Sequence, residues 1–378
     1  ARNIQHIYDN VTANPHNFKA DDPGDVVSYI AAHDNLTLHD VIAQSIKKDP
    51  KDHQAEIHQR IRLGNTMVLT AQGTAFLHAG QEFGRTKQFK HEDFKEPVEN
   101  PPYKSTYMED EDGNPFEYPY FIHDSYDSTD AINMIEWEKA TNAEKYPIHV
   151  QTREYTKGLI ELRRSTDAFR LGTIDEIAEH VSMIEAPEIK DEDLIIGYQA
   201  QDSSGEETYY VFVNGDDQQR ALTLDEDLTE GIVIVDGEEA GAAEITNPTG
   251  VTLAKDKITI DPLTAIVIKA GDDSADEDEA DEGPGNGKTP EEDDVKDDDN
   301  TSKNDDKESK EENGEQSDED GQISDDNEEP TIIDQEQDGQ SLPKTATNYF
   351  NYLIIGLLLL IGGFGVFLYK RNKHKTTT

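Results

Sequence analysis

Hydrophobic positions along the chain fall into two regimes. In the first half they come in short runs separated by helical spacing. Residues 26–32 form a short apolar run, β-branched at its start, and predict a buried strand. Residues 53–72 place Ile57, Ile61, Val68 and Leu69 on roughly one face, which predicts a helix that Gly73 ends. Residues 74–78 are a second short apolar run. Strand, helix and strand make one βα unit feeding the next strand, with His33 and Asp34 directly after the first run. Residues 1–25, rich in Asn, Asp and Pro, read as loop. Residues 84–150 show no strong period and read as one long loop. Its aromatics (Phe116, Tyr118, Tyr120, Phe121, Tyr126, Trp137) argue that it is ordered. Helical spacing returns at 152–164 with Tyr155, Leu159 and Leu162.

From about Leu171 the second regime begins. Residues 193–200, 208–214, 231–235, 257–260 and 265–269 are β-rich runs broken by Gly, Asp and Asn, which predicts an antiparallel all-β domain, a sandwich. Residues 272–340 then carry 31 acidic and 5 basic residues, a net −26 of the chain's −48. So little apolar surface cannot offset ordering entropy, so a disordered, self-repelling spacer is expected. The run 353–368 is almost wholly apolar and long enough to cross a bilayer; Lys370, Arg371, Lys373 and Lys375 after it would stay on the cytoplasmic side.

Composition narrows the function classes. The strongly negative chain repels phosphate backbones, which argues against nucleic-acid binding. There are no cysteines, hence no disulfides and no thiolate metal sites. His39, His53 and His58 sit near acidic residues; a charged, solvent-facing helix accounts for them better than metal ligation does. The chain opens at Ala1, with no initiator Met and no signal peptide. A longer parent is the default expectation, with a processed mature N-terminus as the alternative.

Three segments carry chemistry: 29–40 (YIAAHDNLTLHD), 74–87 (TAFLHAGQEFGRTK) and 125–137 (SYDSTDAINMIEW). In order and spacing they resemble the pullulanases and related debranching enzymes of the α-amylase superfamily, and the resemblance covers roughly residues 1–270. It implies a fold: the C-terminal portion of a (β/α)8 barrel over 1–168, then an all-β antiparallel sandwich over 169–271. It also implies an activity, retaining hydrolysis of α-1,6 branch linkages in pullulan, glycogen and related glucans. An α-1,4-acting amylase or amylopullulanase, and a non-catalytic glycogen-binding adhesin, are the competing readings. In such enzymes an Asp nucleophile and a Glu acid/base act with a third carboxylate that holds the distorted sugar. Asp34 matches that third carboxylate, a stabiliser of the oxocarbenium-like transition state. His33 would hydrogen-bond the same sugar, and Asn35 would orient the pair. The nucleophile and acid/base match nothing in this chain and are expected upstream. Glu82 is expected to order its own turn by pairing with Arg85 or a backbone donor. Asp130 matches the acidic member of a glucose-binding loop in which relatives often carry an Arg where Met134 stands. Asn133 is a replacement donor there, and Tyr126 a stacking surface. Trp137, the chain's single tryptophan, suits stacking on a sugar face as Tyr126 does, but a lone Trp is more often core, and the core is its expected place. Calcium enters only through the resemblance; no metal-ligand spacing is evident.

Residues 342–378 resemble a Gram-positive sorting signal: Leu342-Pro343-Lys344-Thr345-Ala346, an apolar segment at about 350–369, and a basic tail. The usual motif ends in Gly where Ala346 stands. The resemblance implies transient membrane insertion, sortase cleavage between Thr345 and Ala346, and attachment of a secreted protein to peptidoglycan after an acidic spacer over 272–341.

Overall fold

The computed structural model describes residues 3–270. The acidic spacer, the pentapeptide and the apolar run lie outside the described residues, among which no helix is long and apolar enough to cross a membrane.

The first departure from expectation is α1, Ile4–Val11, inside the stretch read as loop. Asn3 caps it by accepting from the His6 amide at 3.2 Å. Ile4, Tyr8 and Val11 form one apolar stripe, of which Ile4 and Val11 are buried. The Asn- and Pro-rich residues that follow mask this short helix in the sequence.

Strands β1, Val27–Ser28, and β2, Thr74–Ala75, pair in parallel, Val27 opposite Thr74 and Ser28 opposite Ala75. Each is shorter than the apolar run containing it. Between them run α2, Leu38–Ile46, and α3, Pro50–Thr70, the latter starting three residues before the predicted helix. Around the pair, Val27, Tyr29, Ile30 and Phe76 are 40–57 % exposed. Beside it lies an apolar hollow of about 410 Å³ lined by Ile7, Val11, Val26 and Met67.

The stretch 84–150 is more structured than a loop. A hairpin joins β3, Ser105–Glu109, to β4, Pro115–Ile122. Asp110 builds its turn, accepting from the amides of Asp112 (3.0 Å) and Asn114 (2.8 Å), with Gly113 at φ +83°. Met108, Phe116 and Phe121 form a core with Leu36, Leu38, Ile57 and Ile61. The hairpin therefore clamps the start of α2 and the flank of α3. Short helices α4, Asp130–Asn133, and α5, Trp137–Thr141, lead into α6, Pro147–Ser165.

After α7, Ile174–His180, eight strands form two antiparallel sheets. The larger has the order β5 (Val181–Met183), β6 (Ile195–Gln201), β7 (Thr208–Asn214), β12 (Thr264–Lys269), β9 (Ile232–Val235). The smaller is β10 (Val251–Ala254), β11 (Lys257–Ile260), β8 (Arg220–Thr223). Period-two alternation fixes both faces of the larger sheet. Along β12, Ile266 and Ile268 meet the smaller sheet, whereas Ala265 and Val267 join Leu69, Tyr155, Leu159 and Leu162 of α3 and α6. One core thus spans the helical part and the β part. Polar pins cross the same seam. Thr70 Oγ1 and the Tyr198 hydroxyl lie 2.6 Å apart, and the Tyr155 hydroxyl donates to the Asp236 carbonyl at 3.1 Å. Arg163 donates to the carbonyls of Leu69, Ala71 and Gly73 (3.0, 2.6 and 2.7 Å), satisfying acceptors that the end of α3 leaves open.

Candidate active site

His33 and Asp34 follow β1 on an open face. Their side chains are 83 % and 82 % exposed, with His33 Nε2 3.5 Å from Asp34 Oδ1. Asn35, next in line, takes the left-handed conformation at φ +62°. The chain then dives inward: Leu36, Thr37 and Leu38 are buried, and Thr37 Oγ1 caps α2 by accepting from the Asp40 amide at 3.3 Å. An exposed carboxylate and imidazole therefore sit at the lip of a buried helix start.

Underneath is a network that residue type did not reveal. Asp40 is wholly buried. Its carboxylate contacts His39 Nδ1 (2.9 Å) and accepts from Thr86 Oγ1 (2.5 Å) and the Lys87 amide (2.8 Å). Lys87 is buried too, and its ammonium donates to the Asn35 carbonyl at 2.5 Å and reaches Ser125 Oγ at 3.4 Å. Burial pushes the Lys87 amine below its ordinary pKa, while Asp40, Asp124 and Asp34 pull it the other way. His78 is lowered mainly by burial, with Arg85, Lys87 and His33 adding to the shift. The contact of Lys87 with the Asn35 carbonyl brings the end of segment 74–87 beneath the His33–Asn35 stretch. Asp40 and Lys87 terminate the first two chemical segments, which was the available signal; their burial was not foreseeable, because Asp and Lys usually face water.

Segment 125–137 supplies the rest. Asp130 opens α4 and is exposed, as are Tyr126 (88 %) and Trp137 (70 %). Trp137 is thus not a core residue: it opens the short helix α5, on the outer surface. Asn133 Nδ2 donates to the carbonyls of Ser125 (2.7 Å) and Ser128 (3.0 Å), folding the loop on itself. Its own carbonyl accepts from Arg85 Nη2 at 3.0 Å. Glu82 takes a backbone donor, the Gly80 amide at 2.8 Å. The Lys104 ammonium stands 5.2 Å from the Tyr126 ring and 2.9 Å from Asp124.

The histidines correct an expectation. His58 on α3 and His39 on α2 are buried, not solvent-facing: α3 is covered on several sides and packs polar residues such as Asn65 and Thr66 inward as well, and the His39 ring meets that of His58 edge-on, 6.3 Å between centroids. His58 Nδ1 lies 2.8 Å from Thr152 Oγ1, and its ring centroid is 4.5 Å from that of His149. His53 is half-buried, with Nδ1 3.0 Å from the Asp49 carbonyl. Among the described residues no group of three or more His, Cys, Asp or Glu is placed to hold a metal ion.

Burial, aided by His149 and His39, drives the His58 pKa down to about 2. In the unfolded chain His58 takes up its proton near the ordinary value of about 6.5. The folded ring stays neutral, so stability is intact above about pH 6.5 and falls below it by up to about 1.4 kcal/mol per pH unit. We expect the denaturant midpoint at pH 5 to lie below that at pH 7. In His58→Gln the difference should shrink; an undiminished difference would assign the acid sensitivity elsewhere.

Known proteins share much of this chain. Residues 180–271 match the family model for the SpuA C-terminal domain, and residues 334–375 match that for the LPXTG cell wall anchor motif. Pullulanase A of Streptococcus pneumoniae serotype 2 (strain D39 / NCTC 7466) is 51 % identical over 278 residues, covering 71 % of this chain and 22 % of that protein. The chain therefore spans about a fifth of that relative's length. Among solved structures, the catalytic module of the multi-modular glycogen-degrading pneumococcal virulence factor SpuA, bound to an inhibitor, is 50 % identical. It superposes with a TM-score of 0.70 over 71 % of this chain and 39 % of its own. The Group B Streptococcus pullulanase SAP is 54 % identical, with a TM-score of 0.68 over 71 % of this chain and 35 % of its own.

Proposed function

We infer from its homology to the cell-wall-anchored pullulanases of Gram-positive bacteria that this chain serves an extracellular glycoside hydrolase acting on α-1,6 branch linkages of α-glucans. The observation that carries this reading is the exposed His33–Asp34 pair at the end of β1, in a fold shared at about half identity with a glycogen-degrading catalytic module. Asp34 is the third carboxylate of a retaining mechanism. A nucleophile forms the glycosyl-enzyme and an acid/base protonates the leaving oxygen. Asp34 holds sugar hydroxyls and strengthens its interaction as positive charge develops on the ring, so it favours the transition state over the ground state. His33 adds a directional hydrogen bond. Asn35 orients the pair, and Asp130 and Tyr126 contact glucose units beyond the cleaved one from the loop that Asn133 folds.

In this reading β1 and β2 are the last two strands of a (β/α)8 barrel, within a catalytic portion over 1–168 followed by the sandwich over 169–271. The exposed apolar residues Val27, Tyr29, Ile30 and Phe76, and the hollow beside them, support it: they are the surface that further barrel strands would cover. The nucleophile and acid/base belong to those strands. Residues 272–341 act as a spacer. The segment at about 350–369 inserts transiently in the membrane until sortase cleaves after Thr345 and joins it to peptidoglycan.

Product analysis tests the specificity. The parent enzyme acting on pullulan should release maltotriose. Panose or isopanose would mean cleavage at α-1,4 bonds, and retention on glycogen with no reducing ends released would make the protein an adhesin.

A further inference from the structure

We propose that Lys87 is a positioning residue, a buried pin that holds the His33–Asn35 segment and the Ser125–Asn133 loop in register with each other. The role in catalysis rests on the reading of Asp34 above; the pinning itself is geometric. The two segments are 90 residues apart in sequence and share no strand. Lys87 bridges them with one ammonium, on the Asn35 carbonyl and on Ser125 Oγ.

Three features make this a built bridge. First, the backbone that presents Lys87 is itself fixed, because the buried Asp40 carboxylate accepts from the Lys87 amide and from the neighbouring Thr86 hydroxyl. Asp40 stands five residues after Asn35, in the first turn of α2. Asp40 to Lys87 backbone, Lys87 ammonium to Asn35 carbonyl, and Asn35 back to Asp40 form a closed ring. Second, Asn35 occupies the left-handed region, which Asn tolerates better than other residues with a Cβ, and its carbonyl is the one Lys87 takes. The residue that aims Asp34 is thus locked from below. Third, the far arm ends on Ser125, directly before exposed Tyr126, and Asn133 ties the Ser125 carbonyl to the rest of the loop. A lysine suits this position because its compact ammonium carries several donors and can serve acceptors from two directions. Lys87 and Asp40 are themselves buried, so the pin acts through Asn35 and Ser125 rather than on the substrate.

The test uses Lys87→Met in the full parent protein, read by amide hydrogen exchange and by kinetics. We expect exchange at 33–36 and at 125–129 to accelerate together by about tenfold or more, with β6 and β7 still protected. We expect kcat on pullulan to fall about a hundredfold, and the same change to cost less than about threefold in an Asp34→Asn background, because the pin acts through the carboxylate already removed. Unchanged exchange in either segment would overturn the pin. A full Lys87→Met loss persisting without Asp34 would overturn its positioning of the carboxylate. Should Asp34→Asn itself cost nothing, the reading of Asp34 fails while the exchange data still decide the pin. If Lys87→Met does not fold, Ser125→Ala removes one arm only: exchange should then rise at 125–129 and stay unchanged at 33–36, and a rise in neither would refute the bridge.

Discussion

Asp34→Asn in the parent enzyme should lower kcat on pullulan by about a thousandfold or more and leave the fold intact. The two halves of that expectation have separate causes. The side chain is 82 % exposed, so the native structure loses no buried contact and stability should move by no more than about 0.5 kcal/mol. The chemistry loses an anion whose interaction grows as the sugar ring becomes cationic, so kcat should fall much more than the affinity for substrate. Steady-state kinetics beside a thermal melt decide it. Turnover within about tenfold of wild type would remove Asp34 from the mechanism, and a collapsed melt would reassign it to the fold.

Gly158→Ala should be the most destabilising single-methyl change in the described fold. Gly158 lies on α6 where the helix meets the backbone after β9; an added Cβ would stand 1.8 Å from the Ala240 carbonyl oxygen and 2.4 Å from its carbon. Backbone cannot rotate aside as a side chain can. Nor can α6 retreat, because Tyr155 on one side holds the Asp236 carbonyl and Arg163 on the other holds the end of α3. Alanine's better helix propensity, about 1 kcal/mol in isolation, is outweighed by overpacking that we expect to reach about 3 kcal/mol. A denaturant titration of the protein reads this directly. An unchanged or raised midpoint would mean that the helix and the β part do not share the rigid seam described above.

How far the fold is legible in the sequence depends on how each residue meets its neighbours. Helices α3 and α6 are readable because Ile57, Ile61 and Leu69, or Tyr155, Leu159 and Leu162, repeat at helical spacing and do face a core. Strands β7 and β11 match expectation to the residue, since each is a β-branched or aromatic run ended by turn formers. The hairpin β3–β4 is hidden: its aromatic strands are interspersed with Pro and Glu, and only the Asp110 turn marks it. The short strands β5, β8 and β10 lack enough apolar residues to stand out and form because a neighbouring strand is already there. At the site, His33, Asp34 and Asn35 are visible as a motif. Their support is not, because Asp40, Lys87 and His58 belong to residue types that periodicity assigns to water, and only tertiary packing turns them inward.

One measurement decides whether Asp34 serves a wall-bound debranching hydrolase: a pullulan zymogram of the native wall fraction, probed in parallel with an antibody to residues 181–270. We predict that the clearing zone and the antibody-reactive band coincide, and that the Asp34→Asn strain keeps the band while losing the clearing. An antibody-reactive wall protein that is retained on glycogen yet clears no pullulan would contradict this and leave a glucan-binding surface protein in its place.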